Sequence, residues 1–240
     1  MTPHAVVDVA ATAARSRPDP RETAVLLSCQ GMRVSVDGTV LVDDVWFEVR
    51  AGEIFGLTGA EGSGKSTVLH AVCGLLPTDA GMVLLDGHRL DSVMSPVRTG
   101  LVGHTLQEAA VLPCATVLEN LEFWARIHGS ELAGEALAVT GLIDNADAPV
   151  DRAPLGVRRA LGLAVALLAD PRLLVVDELT AGVDRPDAER LLGIVRRIGA
   201  QGRSVLYAGR AAEDVRAVCD RVGVLDHGRL AAGGARRPAA

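Results

Sequence analysis

The sequence predicts an α/β fold: a mostly parallel sheet with helices on its faces, an antiparallel strand pair at one edge, and an inserted helical segment. Three observations lead to this prediction. From residue 24 onward, short runs rich in Val, Ile and Leu alternate with helical patterns. Two runs, "MRVSVDG" and "VLVDDVWFEV", meet near Asp37-Gly38, a dipeptide that favours a hairpin turn. Between residues 108 and 170 the strand pattern gives way to apolar residues at helical spacing.

Each remaining run is assigned from its pattern. "GEIFGLTG" predicts a buried strand, "KSTVLHAVCGLL" the helix that follows it, and "GMVLLDGHRL" a further turn and strand. The predicted helices of the insertion are "TVLENLEFWARIHG", "SELAGEALAVTGL" and "RRALGLAVALLA", and strands return at "RLLVVDE", "SVLYAG" and "RVGVLDHG". We therefore expect one domain over 24–232, with its core in 24–107 and 171–232 and a helical subdomain in 108–170. A flexible tail, 1–23, and a C-terminal tip, 233–240, flank it.

Composition excludes several classes of protein. Hydrophobic residues make up 49% of the chain and charged residues 22%, so a substantial core forms and general disorder is excluded. The net charge of -6 argues against a nucleic-acid-binding protein, because such proteins neutralise phosphates with an excess of cations. No apolar run reaches the roughly 18–20 residues needed to cross a bilayer. Any role at a membrane therefore requires a partner that crosses it.

The segment "GAEGSGKS" fits the phosphate-loop pattern G-x-x-x-x-G-K-[ST]. Its glycines let main-chain N–H groups approach phosphate oxygens, and the helix that follows presents its positive end to an anion. Lys65 is suited to the β and γ phosphates, and the Ser66 hydroxyl to Mg²⁺. The predicted nucleotide-binding residues are Gly59, Ala60, Glu61, Gly62, Ser63, Gly64, Lys65, Ser66 and Thr67. A glycine-rich turn that matches by chance is the alternative.

Two acids end the strand "LLVVDE" and suggest hydrolysis. Asp177 is placed to orient the water shell of a metal ion, and Glu178 to polarise an attacking water. Taken alone, two acids after a strand are usually a solvated loop. Together with the phosphate loop they predict a hydrolytic site.

Several motifs, in order, resemble the nucleotide-binding subunit of ATP-binding cassette (ABC) transporters. The resemblance runs from about Leu27 to Leu230 and is carried by "LVDDVWFEVRAGEIFGLTGAEGSGKST", "LQEAAVLPCATVLENLEFWARIHG", "RRALGLAVALLADPRLLVVDELTAGVD" and "CDRVGVLDHGRL". It implies a P-loop NTPase (RecA-like) core with an antiparallel β edge and an inserted α-helical subdomain. It also places Gln107 at the glutamine that helps to hold Mg²⁺ and Asp184 in the loop at the dimer interface. The "ENLEFWARIHG" segment is closest to the branch that exports drugs, antibiotics or polysaccharides.

The resemblance also implies how such a subunit works. Two ATP-binding subunits, identical or different, meet head to tail, and each ATP lies between the phosphate loop of one and the signature of the other. Closure on ATP drives a transmembrane permease subunit, and hydrolysis resets it. The chain is thus expected at the cytoplasmic face of the membrane as a peripheral ATPase, with ATP and Mg²⁺ as cofactors.

Three positions depart from the family pattern. The signature, usually Leu-Ser-Gly-Gly, is replaced by Pro154, Leu155 and Gly156, which removes a hydroxyl and a backbone donor toward the partner's ATP; the proline is compatible with the first turn of a helix. Arg210 stands where the family has a histidine that contacts the γ-phosphate. Val36 occupies the place of the aromatic residue that stacks on adenine.

These departures leave alternatives open. The chain either hydrolyses ATP, or binds it and gates a transporter with impaired turnover, as half of an asymmetric heterodimer. In the first case Arg210 acts in the catalytic set with Glu178 and Gln107, in the manner of an arginine finger in cis. A soluble P-loop kinase leaves the signature helix unexplained, and a DNA-repair ABC protein needs a coiled-coil insertion for which the chain has no room.

Overall fold

A computed structural model of the chain describes residues 24–90, 100–106 and 111–231. Its strands are β1 (Val25–Val36), β2 (Thr39–Arg50), β3 (Ile54–Thr58), β4 (Ala80–Leu85), β5 (His88–Arg89), β6 (Val102–Thr105), β7 (Leu173–Asp177), β8 (Ser204–Gly209), β9 (Arg221–Asp226) and β10 (Arg229–Leu230). Its helices are α1 (Lys65–Val72), α2 (Val117–His128), α3 (Ala133–Thr140), α4 (Leu155–Leu167), α5 (Arg185–Ala200) and α6 (Ala212–Val218), with a short 3-10 helix at Ile143–Asn145.

The strands form two sheets. The central sheet has the order β10-β9-β3-β8-β7-β6, and its neighbours from β9 to β6 are parallel. A second sheet, β2-β1-β4-β5, is antiparallel throughout. The predicted fold class is confirmed: an α/β core, an antiparallel β element, and a helical segment inserted between β6 and β7.

The central strands are apolar along their whole length because both faces of their sheet are covered. In β7, Leu173 and Val175 pack with α1 and the antiparallel sheet, whereas Leu174 and Val176 pack with α4, α5 and the inserted helices. Every residue of β7 is buried. Because the strands from β9 to β6 are parallel, their carboxyl ends lie at one edge of the sheet, and the loops that follow them carry the polar residues.

The predicted hairpin between β1 and β2 is confirmed. Val36 pairs with Thr39, so the turn consists of Asp37 and Gly38 alone. Both residues have positive φ, 49° and 77°, which is the backbone of a type I′ turn. The hairpin brings the start of β2 beside the phosphate loop.

Local signals set the boundaries of the helices. Helix α2 begins with a capping box, in which the Thr116 hydroxyl accepts from the Glu119 N–H at 3.2 Å and the Glu119 carboxylate accepts from the Thr116 N–H at 2.8 Å. Helix α1 is shorter than predicted: it ends at Val72 instead of continuing to Leu76. The chain turns there because Gly74 takes a left-handed conformation, φ 68°.

A partly buried ion pair joins the turn before β3 to β9. Glu53, whose side chain is fully buried, accepts from the Arg221 guanidinium at 3.0 and 3.3 Å and from the Arg50 N–H at 2.7 Å. The Arg221 guanidinium also lies 5.2 Å from the centre of the Phe55 ring. The pair links the first residue of β9 to the residue before β3, which lie far apart in the sequence.

We expect Arg221→Ala to lower the free energy of unfolding by about 2 kcal/mol, because it leaves the Glu53 carboxylate buried without its cation. Urea unfolding followed by circular dichroism measures this change. Arg126→Ala removes a partner from an exposed ion pair with Glu122 on α2 and serves as the control, with no measurable effect expected. Equal stability of the Arg221→Ala and Arg126→Ala variants would contradict the assigned role of the partly buried pair.

Candidate active site

The phosphate loop lies between the end of β3 and the start of α1, as the motif requires. Gly64 precedes α1 with φ 100°, and a Cβ built there would lie 2.8 Å from the carbonyl oxygen of Leu41. A Cβ on Gly59 would lie 2.1 Å from the carbonyl oxygen of Leu225. The loop therefore passes between β2 and β9 with no room for side chains at these two positions. Its main-chain N–H groups remain accessible to an anion for the same reason.

The Lys65 ammonium lies inside this loop. Its Nζ donates to the carbonyl oxygens of Gly59 and Ala60, both at 2.8 Å, and to the Ser63 hydroxyl at 3.2 Å. Lys65 is 5% exposed, and burial lowers its pKa, while the nearby carboxylates of Glu178 and Asp177 act in the opposite direction. A buried cation whose hydrogen-bond acceptors are neutral favours a negatively charged ligand.

Asp177 ends β7 and is 1% exposed. Among the described residues, neither of its carboxylate oxygens has a hydrogen-bond partner. Burial raises the pKa of Asp177 and the Glu178 charge adds to this, whereas the Ser66 hydroxyl, close by but outside hydrogen-bonding geometry, lowers it. A buried carboxylate without donors beside a serine hydroxyl fits a divalent cation that prefers oxygen ligands, so these residues suit Mg²⁺.

Glu178 follows β7 in a strained backbone conformation, with φ 44°. Its N–H donates to the carbonyl oxygen of Ala208 on β8 at 2.9 Å, which holds the strained residue in place. Its side chain is 12% exposed, and Oε1 accepts from the Arg210 Nε at 2.7 Å. A carboxylate is thus fixed at the edge of the loop, at the place predicted for a general base.

Arg210 connects two parts of the site. Its Nη1 and Nη2 donate to the two carboxylate oxygens of Glu61 at 3.1 and 3.4 Å, while its Nε contacts Glu178. The hydrogen bond and charge of Glu178, followed by the charge of Glu61, raise the pKa of Arg210. Glu61 was predicted only as a member of the phosphate loop. The sequence shows that Glu61 and Arg210 carry opposite charges, but only the folded structure shows that they are in contact.

The signature segment begins α4. Pro154 is the N-cap, with φ −52° and ψ 152°, and Leu155 is the first helical residue. Pro154 therefore lies one position before the first helical residue, and the helix forms after it, as expected for a proline at a helix start. A Cβ on Gly156 would lie 2.2 Å from a carboxylate oxygen of Asp187, so a larger residue there requires the Asp187 side chain to move. Sequence reasoning missed Asp187, which places negative charge at this helix end.

The remaining predicted site residues are dispersed. The Asp184 side chain caps α5 by accepting from the Asp187 N–H at 2.9 Å. Val36 ends β1 and is partly exposed. Thr67 lies in the first turn of α1 beside Ser66. Gln107 lies outside the described residues.

Within the described residues, none of the helices is both long enough and apolar enough to cross a bilayer.

Comparison with known proteins agrees with this geometry. Residues 42–181 match the family described as ABC transporter. The linearmycin resistance ATP-binding protein LnrL of Bacillus subtilis is 30% identical over 217 residues, which cover 88% of this chain and 70% of LnrL. Nod factor export ATP-binding protein I of Ralstonia nicotianae is 35% identical, with 87% and 67% covered. The ribose import ATP-binding protein RbsA of Hahella chejuensis is 31% identical, but the chain spans only 43% of it.

A solved structure supports the fold. An ATP-binding cassette of an ABC transporter in its ADP conformation aligns with a TM-score of 0.79 over 88% of this chain and 91% of the other, at 23% identity. The family match includes the phosphate loop, the signature segment and both acids that end β7. On the strength of that match and of its relatives, this chain belongs to the ABC transporter family.

Proposed function

We propose that the chain is an ATP-binding and ATP-hydrolysing subunit that powers export through a separate transmembrane permease. The observation that carries the proposal is the buried Lys65 ammonium, held inside the phosphate loop beside Asp177 and Glu178. The loop, the cation and two acids supply the groups needed to bind a triphosphate and to act on an attacking water.

Each residue has a part in this chemistry. The N–H groups of the loop and Lys65 bind the β and γ phosphates and hold the γ-phosphoryl group in line for attack. Glu178 accepts a proton from the attacking water. Ser66, Asp177 and Gln107 would hold Mg²⁺, which neutralises charge on the phosphate oxygens when it is bound. Val36 and the neighbouring hairpin offer an apolar contact to the base in place of an aromatic ring.

Export, the partners and the location are part of the proposal. Export is supported by the resemblance of "ENLEFWARIHG" and by the relative named for Nod factor export, although another relative is named for ribose import. The head-to-tail arrangement of the family supplies a second ATP-binding subunit, and the permease anchors the pair at the cytoplasmic face of the membrane. The signature of that second subunit would complete the ATP site on this chain.

A second candidate function is a nucleotide-binding module with impaired turnover in an asymmetric heterodimer. Two observations favour it. Arg210 occupies Oε1 of Glu178 and so competes with water for the base. Pro154 offers no hydroxyl, and Asp187 adds negative charge beside Gly156, where the partner's γ-phosphate would approach. Losing a single preorganised donor to developing charge lowers an enzymatic rate by about 10²–10³-fold.

Phosphate release from ATP separates the two candidates. We expect the complete complex, with its permease and any second ATP-binding subunit, to release phosphate, and Arg210→His to change this rate by less than about tenfold, because a histidine there still offers an N–H donor to the γ-phosphate. Release by the isolated chain is the baseline. A complex that binds ATP without releasing phosphate, and that gains at least about a hundredfold with Arg210→His, would establish the second candidate instead.

A further inference from the structure

We propose that Glu61 is a positioning residue: it holds the Arg210 guanidinium on Glu178 until the γ-phosphate of ATP takes the place of the Glu61 carboxylate. This inference rests on the proposed function, because it concerns the same ATP site. It adds a role for a side chain of the phosphate loop, whose other members act through their backbone, through Lys65 or through Ser66.

The inference is supported by the contacts of the Arg210 guanidinium, which binds a carboxylate on each of two edges. Nε faces Glu178 at 2.7 Å, and the two Nη atoms face the two oxygens of Glu61 at 3.1 and 3.4 Å. The planar fork of arginine offers two parallel donors to the Glu61 carboxylate while Nε contacts Glu178, whereas a histidine has at most one N–H donor for each carboxylate. The link joins Glu61 in the β3–α1 loop to Arg210, which follows β8, and to Glu178, which follows β7.

The exposure of the Glu178, Arg210 and Glu61 side chains indicates which of the two Arg210 contacts breaks more easily. The Glu178 side chain is 12% exposed, Arg210 is 53% exposed and Glu61 is 79% exposed. An exposed pair is weak because water and salt screen it, so the Glu61 contact breaks more easily than the Glu178 contact. Glu61 is therefore the partner that an incoming anion displaces.

The charges of the site make the displacement depend on the nucleotide. Asp177, Glu178 and Glu61 all act on Lys65, and within the described residues the cations Arg210 and Lys65 and the imidazole of His70 act on this group of acids. The γ-phosphate carries the same sign as Glu61 and accepts from the same kind of donor. MgATP presents this competitor and MgADP does not, so Glu61 weakens the binding of ATP more than that of ADP.

A double-mutant cycle on the full chain tests this role. Calorimetry would measure the dissociation constants of MgATP and MgADP for the wild type, Glu61→Gln, Arg210→Gln and the double variant. We expect Glu61→Gln to tighten MgATP binding, relative to MgADP, by roughly two- to five-fold more when Arg210 is present than with Arg210→Gln. The ratio between the two nucleotides cancels an effect of altered folding. Direct repulsion between Glu61 and the extra charge of MgATP acts in both Arg210 backgrounds, so the comparison of the two backgrounds removes it.

Asp86→Asn is the matched control, because Asp86 pairs with Arg172 at 2.6 Å, with side chains 50% and 53% exposed, outside the phosphate loop. It is expected to leave the ratio unchanged. Equal shifts with Glu61→Gln in both Arg210 backgrounds, with nucleotide binding intact, would overturn this inference alone. Absence of MgATP binding by the wild-type chain would overturn the proposed function and this inference together.

Discussion

Replacing Glu178 with glutamine is expected to lower ATP hydrolysis by the complete complex by about 10²–10⁴-fold, the contribution typical of a general base. The amide keeps the shape of the side chain and still accepts from Arg210, but it cannot take a proton from water. MgATP binding is expected to stay as tight or to become tighter, because a negative charge beside the triphosphate is removed. Phosphate release and calorimetry on the same preparation measure the two effects separately.

Glu189→Gln provides the control for this variant. Glu189 is exposed on α5 and pairs with Arg185 at 2.7 Å, so the substitution removes a carboxylate without touching the site. Its hydrolysis rate is expected to equal that of the wild type. Hydrolysis by Glu178→Gln at the rate of Glu189→Gln would show that another group activates the water.

Replacing Lys65 with alanine is expected to weaken MgATP binding by about ten- to a hundredfold, as befits the loss of a charge-assisted contact to phosphate. Lys65 is the only lysine among the 240 residues; the remaining cationic side chains of the Lys+Arg total of 24 are all arginine. A compact ammonium fits among the oxygens of Gly59, Ala60 and Ser63, whereas a planar guanidinium is larger. Lys65→Arg is therefore expected to lose most of the affinity although it keeps the charge.

The single lysine also permits a chemical test. An amine-reactive probe has only Lys65 and the chain's α-amine to modify, and digestion followed by mass spectrometry distinguishes the two sites. Saturating MgATP is expected to protect Lys65 and to leave labelling of the α-amine unchanged. Equal labelling of Lys65 with and without MgATP, or unaltered binding by Lys65→Ala, would contradict a phosphate-binding role for this residue.

Elements with a strong local signal were predictable. The hairpin could be predicted because Asp37 and Gly38 both tolerate the positive φ of its turn. The phosphate loop could be predicted because the spacing of its motif and its place between a strand and a helix both appear in the sequence. Helix α5 was not predicted, although its sequence carries a signal: Asp184 caps it, Pro186 lies in its first turn, and Leu191, Val195 and Ile198 recur at helical spacing.

Strand β6 had a weak signal. Gly103 and His104 interrupt its apolar character, and the segment becomes a strand because it pairs with Leu173–Val176 of β7. A four-residue strand at a sheet edge depends on its neighbour more than on its own propensity. The end of α1 was predicted too late for a related reason, because the apolar residues after Gly74 continue the helical pattern although the backbone turns there.

The sequence alone determined the family resemblance, the order of the motifs and the chemical type of each candidate group, because these depend on residues close together in the chain. Only the tertiary structure decided which of those groups meet. Arg210 lies 149 positions from Glu61 and 32 from Glu178, and they come together because the order of β3, β8 and β7 in one parallel sheet brings the loops after these strands to the same edge. The same folding buries Lys65 and Asp177 side by side, and burial, which is a property of the packed chain, sets the charge balance of the site.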